Sequence, residues 1–175
     1  ELSILSGATE IDIVINRNHV LKADWINLYN EIKLFREVCK NTHLKTIIAT
    51  GDIMTFRNIA KASLVCMMAG ADFIKTSTGK ESTNATLPVS LVMIRAIRDY
   101  FENTGYKVGF KAAGGISTAK DSLSYLTLIK EELGNDWLNS NLFRIGASSL
   151  LSDIERQLEH FITEKYSSFN RHAMS

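Results

Sequence analysis

Asp72-Phe73-Ile74-Lys75-Thr76-Ser77-Thr78-Gly79-Lys80 is a short apolar strand with one lysine in its middle, which then breaks into a turn rich in hydroxyls and glycine. Strand alternation places Lys75 on the same face as Phe73 and Ser77, well inside the segment. Soluble folds rarely keep a lysine inside unless a partner or a chemical role holds it there. A buried lysine is easily deprotonated, and a neutral amine attacks a carbonyl. The rest of the chain reads as support for that amine.

Four further apolar segments share this plan. Glu10 to Asn16 carries Asp12, Leu44 to Gly51 carries Lys45, Val108 to Gly115 carries Lys111, and Phe143 to Gly146 carries Arg144. Between them run helical patterns with apolar residues at i, i+3 and i+4. One starts at Asp24, with Trp25, Leu28, Tyr29, Ile32 and Phe35 on one face, and another near Thr55. The next follows Pro88 and stops at Gly105, another runs from Ser117 or Thr118 to Gly134, and the last opens at Ser148-Ser149 with Leu151, Ile154, Leu158 and Phe161. Strands alternating with amphipathic helices predict βα units and a parallel sheet. The charged strand residues recur about every 33 positions, and Gly51, Gly79, Gly114 and Gly146 close four of the strands.

This α/β repeat predicts a TIM (β/α)8 barrel, in which each strand delivers side chains toward one mouth. A doubly wound open sheet is the rival, but it has no need for one polar residue per strand. A whole barrel takes ~250 residues, so residues 1–166 are expected to be the last five βα units, followed by a polar tail over 167–175. The chain opens without Met in what reads as the last turn of a helix closed by Gly7, so the upstream units are expected to be missing. Two open sheet edges then predict that the isolated chain folds poorly or needs a second copy.

Composition narrows the class. A net charge of +1 over 175 residues, with no basic stripe, argues against nucleic acid. No apolar run approaches the ~20 residues that cross a bilayer, and no signal peptide is visible. Cys39 and Cys66 both fall in helical patterns, which suits free thiols in a reducing compartment and a cytoplasmic location. His19, His43, His160 and His172 lack ligand spacing, so no metal is expected. Gly79-Lys80 resembles the end of a P-loop, but Ile74 stands where that loop requires glycine.

Three strand lysines could simply reach water from strand ends. Their spacing argues otherwise: Lys111 at ~6 Å from Lys75 implies roughly 3 kcal/mol of repulsion at an effective dielectric of ~20, which favours a neutral, nucleophilic amine. Asp12 is a lone carboxylate in a Val/Ile-rich strand and needs a partner. It is either ion-paired with Lys45 or Lys111, or relays protons through a water beside an imine carbon, and the two are compatible. Gly114-Gly115 and Gly146-Ala147-Ser148-Ser149 each link a strand to a helix. Such turns bind phosphate, and the loops after strands seven and eight are the usual phosphate clamp of these barrels.

Asp72 to Lys80, together with the runs from Gly109 to Ile116, Glu10 to Asn16, Leu44 to Gly51 and Phe143 to Leu151, resembles the deoxyribose-phosphate aldolases of the eukaryotic branch, from about Gly7 to Phe161. The resemblance implies a class I, Schiff-base aldolase on a TIM barrel. That family reversibly cleaves 2-deoxy-D-ribose 5-phosphate to glyceraldehyde 3-phosphate and acetaldehyde, without metal or cofactor. It implies Lys75 as the imine-forming lysine, Lys111 as the second lysine that lowers its pKa, and Asp12 as the proton shuttle. Gly114, Gly115, Gly146, Ser148 and Ser149 resemble the phosphate clamp, with Thr78 and Lys80 near the sugar hydroxyls and Lys45 also toward the substrate. The implied partner is a small phosphorylated sugar, with homo-oligomer assembly open; an inactive, phosphosugar-binding derivative is the alternative. Two departures stand out: Ala112 replaces the proline usual after the second lysine, and Asp52 replaces a glutamate.

Overall fold

The computed structural model describes residues 1–168 and 171. Five strands form one parallel sheet in chain order: β1 (Glu10–Val14), β2 (His43–Ile47), β3 (Phe73–Lys75), β4 (Gly109–Ala113) and β5 (Phe143–Gly146). After a first turn α1 (Leu2–Leu5), the helices are α2 (Arg17–Leu21), α3 (Trp25–Cys39), α4 (Phe56–Met68), α5 (Leu87–Thr104), α6 (Ala119–Leu133) and α7 (Leu150–Thr163). Every strand-to-strand connection thus crosses over through a helix, the plan of a TIM barrel, here as five of its βα units.

Side-chain caps set the starts of the crossover helices. Asp24, Thr55, Thr86 and Thr118 each accept a hydrogen bond from the backbone N–H three residues on, satisfying a donor that the helix leaves orphaned. Pro88 sits in the first turn of α5, and Gly105 ends that helix with φ +75°, a backbone region that glycine enters without a Cβ penalty. At the far end of the sheet, Arg36 donates to Asp72 Oδ2 at 2.7 Å, and the same oxygen accepts from the Leu44 N–H at 2.8 Å.

Strand alternation divides the sheet into two faces of different chemistry. The outer face supplies Leu44, Ile48, Ile74, Phe110, Ala112 and Phe143, packed with Leu28, Ile32, Ile59, Met93, Ile97 and Ile129 of the helices. The inner face carries Glu10, Asp12, Lys45, Phe73, Lys75, Lys111 and Arg144. Asp12 lies in register with Lys45, and Lys75 with Lys111 and then Arg144. Between β2 and β3 the register slips by two, so that Lys45 faces Phe73 and Ile47 faces Lys75.

Three expectations need correction. The short helix α2 and the 3-10 turn Asn135–Trp137 were not expected; five and three residues are too short to show a period. The strands are shorter than their apolar runs, although Ile48 and Thr76 keep strand-like hydrogen bonds just beyond the ladder. The stripe expected to anchor α7 is largely uncovered: Leu158 is 57% and Phe161 83% exposed, and the helix buries Leu150 and Ser152 instead. Helix α7 packs against α6, β5 pairs only with β4, and the described residues after α7 turn back onto it, with Tyr166 stacked on His160 and Arg171 paired with Glu159. Of the expected tail over 167–175, positions 169, 170 and 172–175, His172 included, fall outside the described residues. Among the described residues no helix is long and apolar enough to cross a membrane.

Candidate active site

The sheet curls until its inner face meets itself. Glu10 on β1 accepts from Arg144 on β5, and it also accepts from Lys45 Nζ at 2.5 Å. Lys45 lies between two carboxylates, reaching Asp12 at 3.2 Å as well. The other oxygen of Asp12 takes Lys75 Nζ at 3.3 Å. The Arg144 guanidinium stacks on the Phe73 ring at 4.8 Å, and Gly109 leaves that ring its room: a Cβ there would stand 2.4 Å from it.

Of the two partners expected for Asp12, the network supplies Lys45 and not Lys111, and it adds Lys75. Lys45, expected beside a substrate, is 2% exposed and buried between Glu10 and Asp12, because its position one step below Lys75 in the slipped register points it into the floor. Lys111 has no ion pair among the described residues. Burial, together with the neighbouring charge of Lys75, holds Lys111 below the ordinary lysine range, against the opposing pull of Asp12. Arg144 and Lys45 hold the Glu10 carboxyl down to about 2. Asp52, the shortened carboxylate, pairs with Arg17.

Above the floor opens a cavity of about 460 Å³ lined by Thr78, Gly79, Lys80 and the two turns Gly114–Ser117 and Gly146–Ser149. The structure therefore brings Thr78, Lys80, Gly114, Gly115, Gly146, Ser148 and Ser149 to one place, at the strand ends of β3, β4 and β5. Gly114 and Gly115 have φ +83° and +82°, so neither tolerates a side chain without strain. Gly146 is needed for another reason: a Cβ there would meet Ala113 Cβ at 3.1 Å and Lys111 Cε at 3.2 Å. The amine and the cavity are joined by the buried hydroxyls of Thr76 and Ser77. Thr76 Oγ1 accepts from the Ala113 N–H at 3.0 Å, and Ser77 Oγ lies 2.7 Å from the Ala113 carbonyl.

Sequence reasoning missed Glu10 and left Arg144 without a role. The i, i+2 spacing of Glu10 and Asp12 was the available signal, since it puts both on one strand face. That Glu10 meets the last strand is a property of sheet curvature and has no local signature. Glu81, which accepts from the Thr78 and Gly79 N–H groups beside the cavity, was also missed.

The inner face of the curled βα sheet thus sets a lysine beside a carboxylate, with a glycine-lined cavity at the same strand ends. The model of the DeoC/LacD family aldolases matches residues 1–155, and the chain belongs to that family. It is 60% identical over 174 residues to the human deoxyribose-phosphate aldolase and 62% identical to the mouse one, covering 99% of this chain and 55% of each relative. The chain thus spans about half the length of these curated relatives. Among solved structures, the aldolase QR15 superposes with a TM-score of 0.67 at 25% identity, covering 92% of this chain and 64% of that one. The tetrameric deoxyribose phosphate aldolase from Aeropyrum pernix gives 0.61 at 22% identity, covering 93% and 58%.

Proposed function

We propose that this chain carries the catalytic half of a deoxyribose-phosphate aldolase, cleaving 2-deoxy-D-ribose 5-phosphate reversibly to D-glyceraldehyde 3-phosphate and acetaldehyde. The observation that carries the reading is the contact of Lys75 Nζ with Asp12 at 3.3 Å on the inner face, with the cavity of Thr78, Lys80, Gly114, Gly115, Gly146, Ser148 and Ser149 at the same end of the sheet. The relatives named above support the substrate.

Lys75, after losing a proton, attacks C1 of the open-chain sugar, and loss of water gives the iminium. Asp12, within reach of that nitrogen, draws the proton from the C3 hydroxyl through a water. The C2–C3 bond then breaks, and its electron pair moves into the iminium as an enamine. Glyceraldehyde 3-phosphate leaves, C2 regains a proton from the same relay, and hydrolysis frees acetaldehyde and the amine. Lys111, which has no ion pair among the described residues, stands in register beside Lys75 on the inner face and leaves it room at the imine. Lys45 braces the Asp12 carboxylate from below at 3.2 Å, and the phosphate rests on the N–H groups of the Gly114 and Gly146 turns.

Two buried free cysteines, Cys39 and Cys66, suit a cytoplasmic setting, and burial pushes the Cys66 thiol up to about 12. Self-association, as in the tetrameric Aeropyrum protein, is part of the proposal. The test is borohydride trapping with 2-deoxyribose 5-phosphate, read by intact mass and peptide mapping. An adduct on Lys75 is expected and should vanish in Lys75→Arg. A folded sample that forms no adduct would leave a phosphosugar-binding member of the family without aldolase chemistry.

A further inference from the structure

The turn after β3 is closed by a residue outside the motifs read from the sequence. Both carboxylate oxygens of Glu81 accept from the Thr78 N–H, at 3.0 Å each, and one of them from the Gly79 N–H at 3.3 Å. The Lys80 N–H donates to Thr78 Oγ1 at 3.2 Å. Asn84 completes the ring: its Nδ2 donates to the Glu81 carbonyl at 2.8 Å, and its Oδ1 lies 2.9 Å from the Ser77 hydroxyl. Asn84 also fills the space beside Gly114, where a Cβ would stand 2.6 Å from Asn84 Cβ. Residues 77 to 84 are therefore one closed loop leaning on a cavity turn, with the Glu81 carboxylate at its centre.

Removing that carboxylate takes from the Thr78 N–H both of its acceptors and leaves the Gly79 N–H, at φ +92°, with only the Ser77 hydroxyl at 3.3 Å. Lys80 follows directly in the chain and is the one charged side chain among the residues lining the cavity. Burial pushes the Glu81 carboxyl up, but the N–H groups of Thr78 and Gly79 outweigh it and leave the group below its ordinary value, so the acceptor is anionic at neutral pH.

We propose that Glu81 is a positioning residue that sets the preference for phosphorylated over unphosphorylated sugars, by holding Thr78 and Gly79 so that Lys80 stays at the cavity. The inference rests on the aldolase reading above. Its test compares Glu81→Ala and Glu81→Gln with the unaltered chain, measuring kcat and KM on 2-deoxyribose 5-phosphate and on 2-deoxyribose. Borohydride trapping with acetaldehyde, which needs Lys75 but no phosphate, is measured alongside.

In Glu81→Ala the preference for the phosphorylated sugar falls at least tenfold, mainly through KM. Glu81→Gln, which keeps one acceptor oxygen, retains part of it, and the acetaldehyde adduct forms within twofold in all three. A preference unchanged within twofold in Glu81→Ala overturns the inference alone. So does an equal loss on both sugars and on acetaldehyde, which would mark a general defect of the fold. An unaltered chain that traps no acetaldehyde overturns the aldolase reading, and this inference with it.

Discussion

Arg144 Nη1 donates to both carboxylate oxygens of Glu10, at 2.8 and 2.7 Å, although the two residues stand on the outermost strands of the sheet, which do not pair with each other. Five strands in an open row cannot do this when flat. The twist carried from strand to strand rolls the inner face into a trough narrow enough for one arginine to span. The polar floor of the site exists only because of that curl.

Acid stability should report the bridge. A carboxyl held down from 4.5 to about 2 contributes stability that is fully present above the upper value and is lost as pH falls through the lower one. Glu10→Gln should therefore lower the melting temperature at neutral pH and flatten its fall between pH 4.5 and 2. Melting curves at several pH values check this, and parallel pH profiles for the two chains would remove the bridge from the account.

Lys111 should behave in the opposite sense. Its folded pKa lies below the ordinary 10.5, so the folded state releases this proton before the unfolded state does. The penalty for the buried charge is present at low pH and relaxes as pH rises through the window between the lowered value and 10.5. Lys111→Met should raise the melting temperature at pH 7 while slowing imine trapping on Lys75 at least tenfold. Denaturation and trapping on one sample check both. A less stable variant with undiminished trapping would contradict the placement.

Gly146→Ala should separate activity from folding. The added methyl would stand 3.2 Å from Lys111 Cε and 3.1 Å from Ala113 Cβ, a crowding that the flexible lysine can relieve by moving. We expect a stability loss of only about 1 kcal/mol, at the low end of the range for overpacking. The rate on phosphorylated sugar should fall tenfold or more. Urea titration and steady-state kinetics decide it.

Gly109→Ala should be costly for the fold, because its Cβ would lie 2.4 Å from the Phe73 ring that supports Arg144. That ring is wholly buried and cannot swing away. A loss of about 1–3 kcal/mol is the usual scale for overpacking. Gly109→Ala paired with Phe73→Leu should recover part of it, and failure of the pair to do so would assign the cost to the backbone.

Much of this molecule was legible in one dimension. The alternation of strand and helix, the helix starts at Asp24, near Thr55, near Pro88 and at Ser117 or Thr118, and the lysine on β3 all follow from local periodicity and capping chemistry, which act over a few residues. Repetition then put the glycine turns after β4 and β5 at one end, so the residues of the cavity could be read from the strand order. Three features came only with the tertiary structure. Lys45 lies in the floor because the register slips by two between β2 and β3. Glu10 meets Arg144 because the sheet curls, and Glu81 closes the turn after β3 through backbone N–H groups that have no letter in the sequence. The apolar stripe of α7 is plain as a period, but which of its residues are covered depends on what lies beside the helix. A sequence specifies which atoms are available at each position; register, curvature and neighbours decide which of them meet.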